Sequence, residues 1–140
     1  MEYDYNFGPA AGLMSSVADL AKYSLAIDEG RLLQEETWQK MFTPYTIEKG
    51  KSTLYGLGWF VHDYYNTKFI WHTGWWTGYS SLLIKMPALD LTFIILANSQ
   101  DVSRPFYKFL LGKSLHKDLL ASDFANVFIE HFMLEEEKRK

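Results

Sequence analysis

The sequence of 140 residues contains no cysteine, only four prolines and, outside a mixed run at 135–140, no block of like charges. The absence of cysteine excludes a disulfide framework, a thiol nucleophile and a cysteine-ligated zinc site. A net charge of -3 without a Lys/Arg cluster argues against a nucleic-acid partner. No segment approaches the roughly 18 consecutive apolar residues of a membrane span, and Met1–Tyr5 lacks the pattern of a signal peptide.

What the chain does contain is apolar and aromatic material. Hydrophobic residues make up 48% of the sequence and aromatic residues 17%, which is enough for a substantial core. A chain of this length is one domain or part of one. We therefore treat residues 1–140 as one unit, either a single domain or a partial one, since no internal repeat or low-complexity linker divides it.

The first helical pattern lies at residues 17–29. Ser16 and Asp19 have the form of a capping box, with Asp in place of the usual Glu, and Gly30 is a typical helix stop. We expect this helix to bury one face, because apolar or small residues recur at helical spacing. The residues on that face are Val17, Leu20, Ala21, Ser24 and Ile27.

Three further helices are predicted. A short one should cover residues 35–42 and end before Pro44, and two more should cover 106–120 and 124–134, the last with Ser122 as N-cap. The short helix should bury Trp38, Met41 and Phe42.

The middle of the chain has the pattern of short β-strands. Connections of two to six residues are too short for a parallel crossover, so the strands should form an antiparallel meander. The predicted fold class is therefore α+β, with a meander of about four strands flanked by N- and C-terminal helices. The predicted strands are 55–62, 69–73, 79–86 and 91–97, with a turn at 63–67 and a tight connection at 87–90.

The strongest functional signal is His72-Thr73-Gly74, which follows the apolar run 69–71. The imidazole and hydroxyl supply hydrogen-bond donors, and the glycine lets a ligand backbone lie close to the strand. Such a segment suits an anionic, peptide-like ligand, and we expect both side chains to face a cleft. The motif is short, however, and a hairpin with no binding role is an equally good interpretation of these residues alone.

In order along the chain, the motifs resemble the C-terminal part of the serine β-lactamase and penicillin-binding-protein family. The branch that they resemble most is that of class C β-lactamases, D-alanyl-D-alanine carboxypeptidases and esterases. The resemblance covers about residues 8–99, and residues 100–140 match only as helices that would pack on a sheet. The matching segments are Gly8–Ser16 with Asp19-Leu20-Ala21, Tyr55-Gly-Leu-Gly-Trp59, His72-Thr-Gly74, Gly78, Pro87 and Asn98.

The resemblance implies a role for each residue of the motif. His72 takes a cationic or donor position, Thr73 binds the substrate carboxylate, and Gly74 permits close approach. The main-chain N–H of Trp75 is one oxyanion-hole donor. Trp76 and Gly78 are implied substrate contacts, although Trp75 and Trp76 could equally cover the sheet.

The resemblance also implies the kind of parent protein. Its substrates would be D-amino-acid peptides, β-lactams or small esters, with no cofactor or metal, and its location bacterial and extracytoplasmic. The family's nucleophile motif, Ser-x-x-Lys, belongs well upstream of residue 8. We therefore expect the 140 residues alone to be inactive. A non-catalytic relative that binds a peptide or protein stays the alternative.

Other polar residues are weaker candidates for a catalytic or metal-binding role. Ser114–Lys117 has the Ser-x-x-Lys form but follows His72, which is the wrong order, and Tyr64-Tyr65-Asn66 fits a turn better than a catalytic motif. His62 is predicted to face solvent. His116 and His131 match no zinc spacing and are predicted to be structural.

The apolar run at 91–97 predicts self-association. In the family this strand pairs with strands from the N-terminal portion of the domain, which the sequence lacks. Because no Lys or Pro interrupts the run, an open edge would be a template for another chain. Exchange of the terminal helices between two copies is the other route to self-association that we expect.

Overall fold

A four-stranded antiparallel sheet lies at the centre of the molecule, with strand order β1-β2-β3-β4. The computed structural model describes residues 12–103 and 118–139. This meander, flanked by helices, confirms the predicted α+β class. The helices are α1 (Val17–Asp28), α2 (Glu35–Met41) and α3 (Asp123–Arg139), and the strands are β1 (Phe60–Tyr64), β2 (Thr67–Trp76), β3 (Tyr79–Met86) and β4 (Leu91–Ala97).

Helix α1 begins with the predicted capping box. The main-chain N–H of Asp19 donates to Ser16 Oγ at 3.1 Å, and that hydroxyl donates to the Asp19 carboxylate at 2.9 Å. The predicted buried face was wrong for the first part of the helix, since only its second half lies over the sheet. Of the five predicted positions, Ser24 and Ile27 are buried, Leu20 is half-buried, and Val17 and Ala21 are exposed.

Strand β1 begins five residues later than the sequence predicted. Residues 55–59 instead turn tightly against the end of α2, where the main-chain N–H of Leu57 donates to the Met41 carbonyl at 3.0 Å. A Cβ on Gly56 would collide with that same carbonyl. The start of the strand thus depends on a contact with a distant helix, which a local pattern does not contain.

The connections between strands are short, as predicted. Tyr65 and Asn66 form a two-residue turn with φ of 53° and 58°, the left-handed pair that matches the twist of a hairpin. Pro87–Leu89 form a 3-10 turn that closes at Asp90, with φ of 52°. β3 and β4 have the predicted bounds.

The two faces of the sheet bury two separate hydrophobic clusters. The first cluster lies between the sheet and the segment that leads into α3, and its buried members include Phe60, Phe69, Trp71, Leu82, Ile84, Leu119 and Ile129. The second lies under α1 and α2, and its buried members are Ile27, Trp38, Trp59 and Ile70. Both faces of β2 are therefore covered at residues 69–71.

The C-terminal segment is only partly described. Most of the predicted helix 106–120 lies outside the described residues, and Leu119–Ala121 form a 3-10 turn. α3 then begins at Asp123, where the main-chain N–H of Ala125 donates to Ser122 Oγ at 3.4 Å. Within residues 12–103 and 118–139, no helix is long and apolar enough to cross a membrane.

A buried lysine joins α1 to the sheet. Lys85 on β3 is 2% exposed, and its ammonium group donates to Asp28 at 2.8 Å and to Ser24 Oγ at 2.5 Å, with Thr92 Oγ1 at 3.3 Å. A buried ammonium is tolerated only when it is paired and hydrogen-bonded, and here all of its polar neighbours come from α1 and β4. The group therefore fixes α1 to one place on the sheet.

We predict that Asp28→Asn destabilises the protein by about 1–3 kcal/mol, because it leaves the buried Lys85 without its counter-charge. Glu36→Gln is the matched control, since it removes a carboxylate from the exposed pair with Lys40 on α2. That change should cost no more than about 0.5 kcal/mol. Urea unfolding of the two variants measures both values, and equal losses would contradict a special role for the buried pair.

Candidate functional site

The His72-Thr73-Gly74 segment lies in the second half of β2. On one side it pairs with β3, where Gly74 is opposite Ser81. On the other side, β1 pairs only with residues 67–71, and its register ends at Phe60 opposite Trp71. In the described part of the chain no strand flanks residues 72–74 on that side, so these three residues lie on an open strand edge.

His72 and Thr73 lie on opposite faces of the sheet. Thr73 is 5% exposed and lies on the face of Trp71, whereas His72 is exposed on the face of Ile70. The prediction that both side chains face one cleft was therefore wrong. The physical reason is the period of two in a strand, which directs neighbouring side chains to opposite faces.

The imidazole of His72 lies against two aromatic rings. Its Nε2 is 3.3 Å from the Tyr55 hydroxyl, and its ring stacks on Phe60 at a centroid distance of 6.0 Å. Partial burial lowers the pKa of His72, and a hydrogen bond with the Thr73 main chain opposes the shift. The neutral imidazole is therefore favoured at neutral pH, which makes His72 a hydrogen-bonding group rather than a cation.

Tyr55 is a candidate site residue that the sequence analysis missed. It belongs to the Tyr55–Trp59 segment of the resemblance, but nothing in that segment indicates that its hydroxyl reaches a residue 17 positions away. Its ring is held in place by an edge contact with Phe60 at 4.6 Å. Its carbonyl accepts hydrogen bonds from the Thr53 hydroxyl and the Tyr45 N–H. Tyr55 is thus a fixed partner for the His72 ring.

The hydroxyl of Thr73 is engaged inside the protein. It lies 2.9 Å from the Ser81 carbonyl and 2.5 Å from the Ser103 hydroxyl. Ser103 is fully buried and also reaches the Gly74 carbonyl at 2.6 Å. These bonds hold the β2–β3 hairpin to the segment that follows β4, and they place the Thr73 hydroxyl away from the face of His72.

Gly74 has a packing role in addition to any role in binding. A Cβ at this position would collide with the hydroxyl of Ser81, its cross-strand neighbour. The backbone at Gly74 is not left-handed, so the missing side chain matters for space rather than for conformation. Gly78 differs, because its φ of 82° in the hairpin turn is a conformation that favours glycine.

An aromatic surface surrounds the β2–β3 turn, next to the motif. Trp75, Trp76 and Tyr79 are 43%, 48% and 61% exposed, and the Gln100 amide donates to the Trp76 carbonyl at 3.4 Å. Trp75 pairs with Ser80 across the hairpin. The oxyanion role of the Trp75 N–H and the substrate contacts of Trp76 and Gly78 stay predictions from the resemblance.

Of the other polar residues from the sequence analysis, those that the structure describes include His62 and His131. Ser114–Lys117, including His116, lies outside the described residues. His131 is exposed on α3. The prediction for His62 was wrong, since it is buried under the C-terminal segment rather than facing solvent. Among the described residues, no three His, Cys, Asp or Glu side chains cluster as metal ligands would.

Comparisons with known proteins agree with the motif order. A family model described as Beta-lactamase matches residues 1–112. Penicillin-binding protein 4* of Bacillus subtilis (strain 168) is 26% identical over 92 residues, which is 64% of this chain and 20% of that protein. An octameric penicillin-binding protein homologue from Pyrococcus abyssi has a similar structure, with a TM-score of 0.52 and 29% identity over 61% of this chain. The chain spans about a fifth of the length of each relative.

We predict that Gly74→Ala destabilises the protein by about 1 kcal/mol, because the new methyl group meets the Ser81 hydroxyl. The double variant Gly74→Ala with Ser81→Ala should regain most of that loss, since the remaining Ser81 Cβ is 3.7 Å from the added atom. Thermal unfolding of both variants tests this. A double variant no more stable than Gly74→Ala would show that the glycine is required for another reason.

Proposed function

The chain belongs to the beta-lactamase family, and on that basis we propose that it carries the substrate-binding strand of a serine hydrolase. The substrate classes are D-amino-acid peptides, β-lactams and small esters. The observation that supports this proposal is the open edge of β2 at residues 72–74, beside the exposed imidazole of His72. An extended ligand can add to such an edge through main-chain hydrogen bonds, while a neighbouring side chain selects its end group.

His72 is the proposed contact with the substrate's carboxylate or leaving group. Tyr55 holds its ring from one side, so the imidazole presents a fixed orientation towards the edge. In the proposed scheme Gly74 allows the ligand main chain to approach β2, and the Trp75 N–H supplies an oxyanion-hole donor. Trp76 and Gly78 would line the end of the ligand site.

Thr73 has a different proposed role from the one that the resemblance implies. As a direct ligand of the substrate carboxylate, its hydroxyl would have to leave Ser81 and Ser103 and turn to the other face of the sheet. We therefore propose Thr73 as a positioning residue, which fixes the hairpin on which His72 and Gly74 lie.

The proposed reaction also needs a nucleophilic serine. A serine hydrolase of this kind forms an acyl-enzyme by serine attack and then hydrolyses it, while main-chain donors stabilise the oxyanion. The proposed nucleophile belongs to a Ser-x-x-Lys motif upstream of the segment that this chain matches. Ser114–Lys117 is the single occurrence of that form in the sequence, and it follows the binding strand.

The alternative function is that of a non-catalytic relative that binds peptides along the same edge. The observation that favours it is the contact between His72 and the Tyr55 hydroxyl. Together with the lowered pKa of His72, that contact suits a hydrogen bond to a peptide better than electrostatic activation of a nucleophile. Both functions place the ligand on residues 72–74. They are distinguished by an assay of turnover in a protein that also contains an upstream Ser-x-x-Lys segment.

We predict that the 140-residue chain binds N-acetyl-D-alanyl-D-alanine at residues 72–76 but hydrolyses neither nitrocefin nor p-nitrophenyl acetate. Loss of the nucleophile in a serine hydrolase costs on the order of 10⁶-fold in turnover, so the binding strand alone cannot compensate. Amide chemical-shift changes measure the binding, and the L,L-dipeptide is the ligand control.

The pH dependence of that binding tests His72 directly. Because the pKa of His72 in the folded chain is below its ordinary value of 6.5, the ring gains charge only as the pH falls through that lower value. Binding of the carboxylate should then tighten by roughly three- to tenfold. His72→Gln should remove this dependence, and shift changes confined to residues outside β2 would exclude the proposed site.

We also propose that the chain self-associates through β4. In the described part of the chain, β4 pairs only with β3. Its two faces are partly covered, by α1 at Ser24 and by Phe128 of α3, which stacks on Phe93 at 4.8 Å. The similar structure from Pyrococcus abyssi is an octamer, so self-association is compatible with this fold.

Light scattering at micromolar concentration should therefore detect a dimer or larger species, with more than roughly 1,000 Å² buried. Leu96→Lys should shift the population towards monomer, because a lysine beside an open edge discourages strand pairing. Leu57→Lys is the control, since it adds the same charge at an exposed leucine outside the sheet. A wild-type monomer, or equal effects of the two variants, would contradict assembly at β4.

A further inference from the structure

Three titratable side chains connect β1 to the segment that precedes α3. His62 Nδ1 lies 2.7 Å from the Tyr64 hydroxyl, and that hydroxyl donates to Asp118 Oδ1 at 2.7 Å. The main-chain N–H of Leu119 donates to the same hydroxyl at 3.2 Å. We call this chain of hydrogen bonds the relay. It joins residues 54 positions apart and uses no residue of the proposed binding site.

The position of each proton in the relay follows from the partners. The phenol has a single proton, which it donates to the Asp118 carboxylate. Burial, and then the hydrogen bond to Asp118, raise the pKa of Tyr64, so the phenol keeps that proton. The phenol oxygen must therefore accept from His62, which fixes the neutral ring as the Nδ1–H tautomer. Nε2 is then the deprotonated nitrogen.

The Nε2 atom is enclosed by aromatic rings. His62 is 6% exposed, and its ring makes edge contacts with Trp71 at 5.8 Å and Phe60 at 6.4 Å. In the described part of the chain, no hydrogen-bond partner lies within reach of Nε2. A bare nitrogen in such a place is tolerable, but an N–H⁺ there would be a buried cationic donor without an acceptor.

The other end of the relay begins the C-terminal helix. Asp118 Oδ1 also accepts the main-chain N–H of Leu120 at 3.0 Å, which starts the 3-10 turn Leu119–Ala121. Leu119 is fully buried in the first cluster. The position of Asp118 thus sets where this turn, and α3 after it, lie on the sheet.

We propose that His62, Tyr64 and Asp118 form a proton-sensitive latch, which loosens the start of the C-terminal helix from the sheet when His62 gains a proton. The charged groups that act on the imidazole in the described part of the chain are the carboxylates of Asp118, from the C-terminal segment, and of Asp63, on β1. The neighbouring rings from β1 and β2 are uncharged. Both carboxylates favour the protonated ring, and burial opposes it.

The direction of the pH dependence follows from this balance. Burial lowers the pKa of His62 below its ordinary value of 6.5, and Asp118 and then Asp63 only partly offset the shift. As the pH falls, the unlatched chain therefore takes up its proton before the latched one does. The latch is at full strength above about pH 6.5 and weakens as the pH falls through the lower, folded value.

Amide hydrogen exchange at Leu119 and Leu120 tests the latch. We expect their protection factors to fall by about three- to tenfold between pH 7.5 and pH 5, the loss of about one hydrogen bond. Ile84 at the centre of β3 is the internal reference and should change by less than about twofold. Tyr64→Phe should lower the protection of Leu119 and Leu120 already at pH 7.5 and remove the step with pH. Tyr65→Phe, in the adjacent exposed turn, is the matched control and should behave as wild type.

A second variant separates a latch from simple packing. Asp118→Asn keeps an oxygen acceptor for Tyr64 and for the Leu120 N–H but removes the charge. Because the carboxylate raises the pKa of His62, this change should lower that pKa further, as an NMR titration of the imidazole can measure. Unchanged protection of Leu119 and Leu120 across the pH range would overturn the proposal, as would an imidazole pKa that is the same in wild type and Asp118→Asn.

Discussion

The register of β2 against β3 is the constraint on which the rest of the structure depends. It places Gly74 opposite Ser81 and Ile70 opposite Lys85. Because successive side chains in a strand alternate between faces, this pairing decides that His72 lies on the side of α1 and α2 and that Thr73 lies on the side of α3. A slip of one residue would exchange the faces on which His72 and Thr73 lie.

Several hydrogen bonds besides those of the strand ladder maintain that register. Lys85 connects β3 to α1 through Asp28, and Ser103 connects the segment after β4 to the Gly74 carbonyl. The Ser80 hydroxyl adds a bond to the Ser99 carbonyl at 2.6 Å. The hairpin that carries the candidate site is therefore supported from both faces, while no strand of the described residues pairs with its edge at 72–74. Such support keeps the hydrogen-bonding groups of a candidate site in position even when no ligand is bound.

Local patterns in the sequence were sufficient for the parts of the fold that local physics determines. The capping box at Ser16 and the tight connection at Pro87–Asp90 identified α1, β3 and β4 closely. The start of β1 could not be found in this way, because the Met41 carbonyl sets it from a distant helix. The prediction for His62 was wrong for a similar reason, since its ring is buried among Phe60, Tyr64 and Trp71, and Tyr64 in turn is bonded to Asp118, 54 positions away. The prediction that His72 and Thr73 face one cleft conflicts with the strand period alone, because neighbouring side chains in a strand lie on opposite faces.

The distribution of the five tryptophans has a consequence for spectroscopy. Trp38, Trp59 and Trp71 are 5%, 7% and 0% exposed, whereas Trp75 and Trp76 beside the candidate site are 43% and 48% exposed. Indole emission shifts to longer wavelength with exposure, and a water-soluble quencher such as iodide reaches only exposed rings. The fluorescence of this protein is therefore divided by position. Its quenchable, long-wavelength fraction comes from Trp75 and Trp76 at the end of β2, and its unquenched, short-wavelength fraction comes from the two clusters.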